Sequence, residues 1–144
     1  MIKAKSIMKT DVVSVKRDTT IYEVTDILVE TKFTGLPVVN DDMTLAGIVS
    51  EKDILRFVSD LHLLDLLCDL KESGACAEDA MTTRVVSFDE NDPISDVCRA
   101  LVENNFRRVP ILSQGKLVGI VSRKDIIAHI MKTAEAETKT ATAS

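Results

Sequence analysis

The chain has 144 residues, 45% of them hydrophobic and 28% charged, with a formal net charge of −5. This length fits one compact domain of ordinary globular composition, and the acidic balance excludes broad, non-specific nucleic-acid binding, which needs a basic surface. No run of about 18 apolar residues exists to span a membrane, and the start, Met1-Ile-Lys-Ala-Lys-Ser-Ile-Met-Lys-Thr10, lacks the apolar core of a signal peptide.

Along the chain, residues 8 to 55 return, one residue shorter, as 81 to 127. Met8-x-Thr10-x-Val12-Val13-Ser14 reappears as Met81-x-Thr83-x-Val85-Val86-Ser87, and Phe33-x-x-Leu36-Pro37 as Phe106-x-x-Val109-Pro110. Gly47-Ile48-Val49-Ser50-Glu51-Lys52-Asp53-Ile54 reappears as Gly119-Ile120-Val121-Ser122-Arg123-Lys124-Asp125-Ile126. The match crosses both kinds of secondary structure, so it marks a duplicated structural unit. At about 50 residues, each copy is marginal for burying its own core, and the two are expected to share one.

Each copy predicts strand, helix, strand, strand, helix. Val12, Val13 and Val15 form a short β-branched run. Thr20-Ile21-Tyr22-Glu23 is a capping-box signature, and Ile21, Val24, Ile27 and Leu28 then fall on one helical face. In the second copy Asp92-Pro93 opens the helix, with Pro93 suited to its first position, and Ile94, Val97, Leu101 and Val102 continue the stripe. Leu36-Pro37-Val38-Val39 and Val109-Pro110-Ile111-Leu112 read as strands, each Pro suggesting a strand start or an edge. Asn40-Asp41-Asp42 and Ser113-Gln114-Gly115-Lys116 are turns, and the strands after them, Leu45 to Val49 and Leu117 to Val121, close hairpins. Residues 54 to 70 form a long apolar helical stretch whose apolar surface is wider than one core-facing stripe. It is buried on two sides within the monomer, or part of it packs on another subunit. Glu72-Ser73-Gly74 ends it. The division expected is residues 1–72 as the first repeat with its long helix, 73–131 as the second, and 132–144 as a disordered tail of Thr, Ala, Glu and Lys.

The sharpest chemical signal is the doubled Gly-Ile-Val-Ser-x-Lys-Asp-Ile. Ser-x-x-Asp before an apolar helix is a capping variant, in which Ser satisfies a backbone N–H and Asp favours the positive helix end. Here the glycine, the lysine and the whole strand repeat with it, which capping alone does not require. A strand feeding a helix N-terminus is also an anion site. A phosphate there accepts from backbone N–H groups and the Ser hydroxyl, and the Asp can accept from both hydroxyls of a ribose. Cys68, Cys76 and Cys98 are odd in number without Cys-x-x-Cys spacing, which fits free thiols in a reducing cytoplasm. Cys68 and Cys98 lie in apolar helical patterns and read as core. His62 and His129 are isolated, and no acidic pair is placed for acid–base work.

These motifs, each present twice and in order, resemble a tandem pair of cystathionine-β-synthase-type domains (CBS domains), the unit called a Bateman module. The resemblance covers about residues 2 to 130 and implies an α+β fold, two pseudo-symmetric β-α-β-β-α repeats packed as one intramolecular pair, with two clefts at their pseudo-two-fold interface. It implies adenosine-containing ligands: AMP, ADP, ATP or S-adenosylmethionine. By position, Asp53 and Asp125 bind ribose hydroxyls, and Ser50 and Ser122 touch phosphate or ribose, with Lys52 and Lys124 beside them. The family's arrangement brings Val85 and Val86 to Asp53, and Val12 and Val13 to Asp125. Arg107 and Arg108 stand where the first copy has Thr34 and Gly35; arginine forks onto phosphate oxygens, so the Asp125 site is expected to be the better nucleotide site.

The function expected is a non-catalytic, cytoplasmic sensor of adenine nucleotide, with no catalytic cofactor and no metal. It acts through a homodimer or a separate effector protein, without membrane or nucleic acid. The alternative is a structural or oligomerisation module of the same fold with no nucleotide. A nucleotide-processing enzyme ranks last, since no nucleophile, metal cluster or P-loop is present.

Overall fold

The computed structural model describes residues 1–60 and 67–143. It is an α+β protein with two three-stranded sheets. The compact units are not the sequence repeats: one comprises Val13–Val85, the other Met1–Val12 with Val86–Ser144.

In the Val13–Val85 unit, β1 (Val15–Lys16) leads to helix α1 (Ile21–Thr31), then to β2 (Gly35–Val39), β3 (Leu45–Ser50) and helix α2 (Glu51–Asp60). Two short helices follow, α3 (Leu67–Glu72) and α4 (Ala77–Ala80). β2 is central, parallel to β1 and antiparallel to β3. The Val12-Val13 run expected as strand lies outside β1, which begins at Val15.

Pro37 sits inside β2 rather than at its start, and the register explains why. β1 pairs only from Val38 onward, so β2 is still an edge at Pro37. On the other side Pro37 faces Ile48, whose N–H and C=O are both turned to Thr82, at 2.9 and 2.8 Å. The missing proline N–H therefore costs no ladder bond. Pro110 and Ile120 repeat this, with Lys9 in the place of Thr82 at 2.9 Å both ways.

Thr20 caps α1 as its spacing predicts, accepting from the Glu23 N–H at 3.1 Å. Thr20→Ala should cost about 1 kcal/mol, read as a lowered urea midpoint with an unchanged slope. The apolar stripe is also as predicted: Ile21, Val24 and Leu28 are buried with Val15, Leu36, Val38, Val49, Ile54, Val58 and Ala77.

The other unit repeats the plan. β4 (Phe88–Asp89) precedes helix α5 (Ile94–Glu103), β5 (Arg108–Ser113), β6 (Lys116–Ser122) and helix α6 (Arg123–Ala143). β5 is central, parallel to β4 and antiparallel to β6. Its core gathers Val97, Leu101, Val109, Ile111, Val121 and Ile126 with Ala4, which comes from a 3-10 turn over Ala4–Ser6. The buried side chains thus form two clusters, where one shared core is expected from repeat size. Each unit enlarges its own core with a segment from the other repeat: Ala77 in the first case, Ala4 in the second.

The borrowed segments also finish the helix starts. Ala75 C=O accepts the first N–H of α1, from Ile21, at 2.8 Å, and Ile2 C=O accepts that of α5, from Ile94, at 2.9 Å. Pro93 is the N-cap of α5 rather than its first helical residue, and Val102, expected on the buried stripe, is 75% exposed. Cys98, expected in the core, is exposed too, one position off the Val97–Leu101 stripe.

Of the helical stretch expected over 54–70, α2 takes the part up to Asp60 and α3 the part from Leu67; residues 61–66, with His62, lie outside the described residues, as does the Cys68 side chain. Leu70 packs on the first core, and Gly74, at φ +71°, ends the segment in the left-handed region as its sequence suggests. Residues 132–144, expected as a disordered tail, continue α6 to Ala143. A helix already nucleated needs only propagation, and alanine, glutamate and lysine propagate well. No helix among the described residues is long and apolar enough to cross a membrane.

Candidate functional site

The two Ser-x-x-Asp motifs lie at strand–helix junctions. Ser50 ends β3 opposite Gly35, and Asp53 enters the first turn of α2. Ser122 ends β6 opposite Arg108, and Asp125 enters the first turn of α6. Both pairs are reciprocal capping boxes. Asp53 Oδ2 accepts from the Ser50 N–H at 2.9 Å, and the Asp53 N–H donates to Ser50 Oγ at 3.2 Å. The equivalent distances for Ser122 and Asp125 are 2.8 and 3.1 Å. Capping is thus realised, and it uses mainly one carboxylate oxygen of each Asp.

The other oxygen, Oδ1, meets a residue from the opening segment of the other repeat. Asp53 Oδ1 accepts from the Thr82 hydroxyl at 2.9 Å and lies 3.6 Å from Arg56 Nη1. Asp125 Oδ1 lies 3.5 Å from Lys9 Nζ. Thr82 and Lys9 are equivalent positions, the variable residue of each Met-x-Thr. The Asp53 carboxylate is buried, at 6% exposure, the Asp125 side chain is largely so, at 9%, and both face the positive ends of their helices. Chemically each is a fixed, desolvated acceptor suited to hydroxyl or N–H donors. Sequence reasoning missed Lys9, Thr82 and Arg56. Their only signal was position, since the repeat draws attention to residues that match and these do not.

The opening segments are held against the sheets by glycine. A Cβ on Gly47 would stand 2.6 Å from Thr82 C=O, and one on Gly119 would meet the Met8 side chain. These two glycines of Gly-Ile-Val-Ser are what admit Met81-Thr82 and Met8-Lys9 so closely.

The remaining candidates spread around the junctions. Thr34 C=O accepts from the Glu51 N–H at 2.9 Å, and Arg107 C=O from the Arg123 N–H at 3.0 Å, so residues 34 and 107 are fixed at the helix starts. Arg107 is exposed, and its guanidinium makes no hydrogen bond or ion pair among the described residues. Its loop is tied down by Arg123, which donates to Phe106 C=O at 2.6 Å, Leu101 C=O at 3.1 Å and Asn105 Oδ1 at 3.0 Å. Glu51, at the matching position, has no such reach. Arg108 lies in β5, half-buried. Lys52 and Lys124 are exposed in the first turns of their helices. Val12 is half-buried in the unit of Asp125 and Val85 half-buried in that of Asp53. Val13 and Val86, each 39% exposed, fall in the units of Asp53 and Asp125 respectively.

Burial, with the carboxylates of Asp79, Glu78 and Asp18, pushes the Cys76 thiol up, away from the reactive thiolate. Among the described residues no group of three or more His, Cys, Asp or Glu is arranged to hold a metal.

Known proteins match this arrangement. The CBS domain family model fits residues 4–60 and again 77–132. The CBS domain-containing protein CBSX2, chloroplastic, of Arabidopsis thaliana is 33% identical over 134 residues, covering 78% of this chain and 56% of that protein. A crystal structure of CBSX2 in complex with AMP superposes with a TM-score of 0.77 at 31% identity, covering 93% of this chain and 99% of that one. Hypoxic response protein 1 of Mycobacterium tuberculosis is 28% identical over 130 residues, covering 90% of this chain and 86% of that protein. Its crystal structure with two coordinated zinc ions matches at a TM-score of 0.70. The chain spans 41%, 59% and 56% of the length of three curated relatives, the last two being the chloroplastic proteins CBSX1 and CBSX2. CBS pairs are generally regulatory rather than catalytic. With two matches that together take in most of its residues, and with the same strand–helix plan in both units, the chain belongs to the CBS domain family and carries that domain twice.

Proposed function

We propose that the chain is a regulatory module that binds an adenosine-containing ligand, AMP, ADP or ATP, with S-adenosylmethionine as the other candidate. The observation that carries this reading is the largely buried Asp125 carboxylate, held by its own helix start through one oxygen while the other, among the described residues, faces the Lys9 ammonium. In the first unit the Thr82 hydroxyl on Asp53 Oδ1 models how such an oxygen takes an alcohol. The AMP complex of CBSX2 supports the ligand class. In this reading Asp125 takes the ribose, Ser122 and Lys124 stand near the phosphate, and Arg107 and Arg108 supply positive charge to it. Val12, in the same unit, offers apolar surface to a purine at Asp125, as Val85 does at Asp53. Ser50, Lys52 and Asp53 form the matching but poorer set, with Thr34 where Arg107 stands. Ligand binding favours one arrangement of the module and biases a homodimer or a separate effector protein in the cytoplasm. No membrane or nucleic acid takes part.

Calorimetric titration of AMP, ATP and S-adenosylmethionine tests this directly. Wild type should bind at least one of them. Asp125→Asn should weaken it by roughly 10- to 100-fold, the worth of a charge-assisted hydrogen bond. Absence of binding at millimolar ligand would remove the reading; unchanged affinity in Asp125→Asn would misplace the ribose.

A second reading, an oligomerisation module without nucleotide, draws on exposed apolar side chains on the helices, among them Val29, Leu55, Val102 and Ile127. Light scattering separates the two: a tight dimer indifferent to every adenosine compound favours this alternative.

A further inference from the structure

The two carboxylates differ in what they have left to give. A carboxylate offers about four lone-pair positions. Asp53 has three of them in hydrogen bonds within the chain and an ion pair besides. Its Oδ2 accepts from the Ser50 N–H and the Ser50 hydroxyl, both at 2.9 Å. Its Oδ1 accepts from the Thr82 hydroxyl at 2.9 Å and pairs with Arg56 at 3.6 Å. Asp125 has committed far less. Its Oδ2 accepts from the Ser122 N–H at 2.8 Å, and its Oδ1 has the Lys9 ammonium 3.5 Å away. Among the described residues no hydroxyl donates to it.

The occupants differ in how readily they leave. The Lys9 side chain is 71% exposed, so its ammonium returns to water at little cost. Thr82 cannot withdraw in the same way. Its backbone is paired to Ile48 in both directions, at 2.9 and 2.8 Å, and a β-branched side chain on a fixed backbone has few rotamers. A vicinal diol arrives with two donors and needs two acceptor positions at once. Asp125 can supply them and Asp53 cannot.

We propose that Thr82, with Arg56, closes the Asp53 carboxylate to ligand diols, so that Asp53 is a structural tie and the chain has one diol-binding carboxylate, Asp125. This rests on the adenosine reading above and adds to it the residue that sets the inequality. Lys9, at the position matching Thr82, is then the permissive residue of the pair: an ammonium on a flexible stem keeps the second site open where a hydroxyl would fill it.

The experiment is calorimetric titration of AMP into four proteins: wild type, Asp125→Asn, Lys9→Thr and Thr82→Val/Arg56→Gln. Wild type should bind one AMP per chain, and Asp125→Asn should bind it roughly 10- to 100-fold more weakly. Lys9→Thr should weaken binding about tenfold by placing a hydroxyl on Asp125. Thr82→Val/Arg56→Gln should gain a second binding event. 2′-Deoxy-AMP, which lacks the diol, should bind wild type about tenfold more weakly than AMP. Two equal events in wild type overturn the proposal. So does a double variant that still binds one, Lys9→Thr as tight as wild type, or deoxy-AMP as tight as AMP. In each of those cases AMP still binds and the adenosine reading stands. If none of the four proteins binds AMP, ATP or S-adenosylmethionine, the adenosine reading falls and this proposal falls with it.

Discussion

Gly47→Ala should lower stability by about 2–4 kcal/mol, the largest effect expected from adding one methyl group to this chain. The new Cβ would sit 2.6 Å from Thr82 C=O and 3.0 Å from Met81 Sδ. The carbonyl is backbone, pinned by the Ile48 N–H at 2.9 Å, so it cannot rotate aside. Relief requires lifting Met81-Thr82 off the edge of β3. Both backbone bonds to Ile48 then go, along with the Thr82 hydroxyl on Asp53. Gly119→Ala provides the comparison. Its Cβ would meet the Met8 side chain, which has three rotatable bonds and can move, so its cost should stay near 1 kcal/mol. Urea unfolding of both variants measures the difference. Equal midpoints would mean that close backbone approach at Thr82 does not decide the matter.

Asp53→Ala is expected to cost about 2–4 kcal/mol, and Asp125→Ala only about 1. Removing the Asp53 carboxylate strips the acceptor from the Ser50 N–H, the Ser50 hydroxyl and the Thr82 hydroxyl together. Removing Asp125 strips it from the Ser122 N–H and leaves Lys9 in solvent. The order should reverse for ligand: Asp125→Ala loses nucleotide, while Asp53→Ala, assayed below its unfolding midpoint, keeps it. Thermal midpoints with and without AMP give both quantities from one instrument, because a ligand that binds only the folded chain raises the midpoint. Equal stability losses would show that the two carboxylates carry the same structural load.

Much of the fold was legible because it follows from local rules. The Thr20 cap, the Ile21–Val24–Leu28 stripe and the β2–β3 hairpin each depend on residues close in sequence. The Ser50–Asp53 and Ser122–Asp125 pairs were legible for the same reason: three residues on a helix start suffice to draw them. What could not be read is the trade of segments between repeats. Thr82 joins Ile48, and Lys9 joins Ile120, through backbone groups that any residue possesses, so no side-chain pattern announces the pairing. The partners of Asp53 and Asp125 were hidden with it. Val102 and Cys98 were misplaced for a smaller reason. An apolar residue beside a stripe is ordinary at a surface, and periodicity alone does not fix where the stripe ends. The helical course of 132–143 rests on propagation from Ser122 onward rather than on an apolar face, and face-based reading has no sight of that.

The assignment of Met1–Val12 to a unit otherwise made from Val86 onward sets an order of events during synthesis. Everything in the Val13–Val85 unit is contiguous, so it can close as soon as Val85 has left the ribosome. Residues 1–12 are made before that unit and find their partners after it. Ala4 waits for Asp92, and Lys9 waits for Ile120. Closing that loop carries the larger entropic cost, and contacts between distant parts of a chain form slowly. A ribosome paused before Ile120 would display a finished Val13–Val85 unit with Lys9 not yet joined to its partner. Protease sensitivity at Lys3, Lys5 and Lys9 on such stalled chains would report the moment when residues 1–12 are taken up.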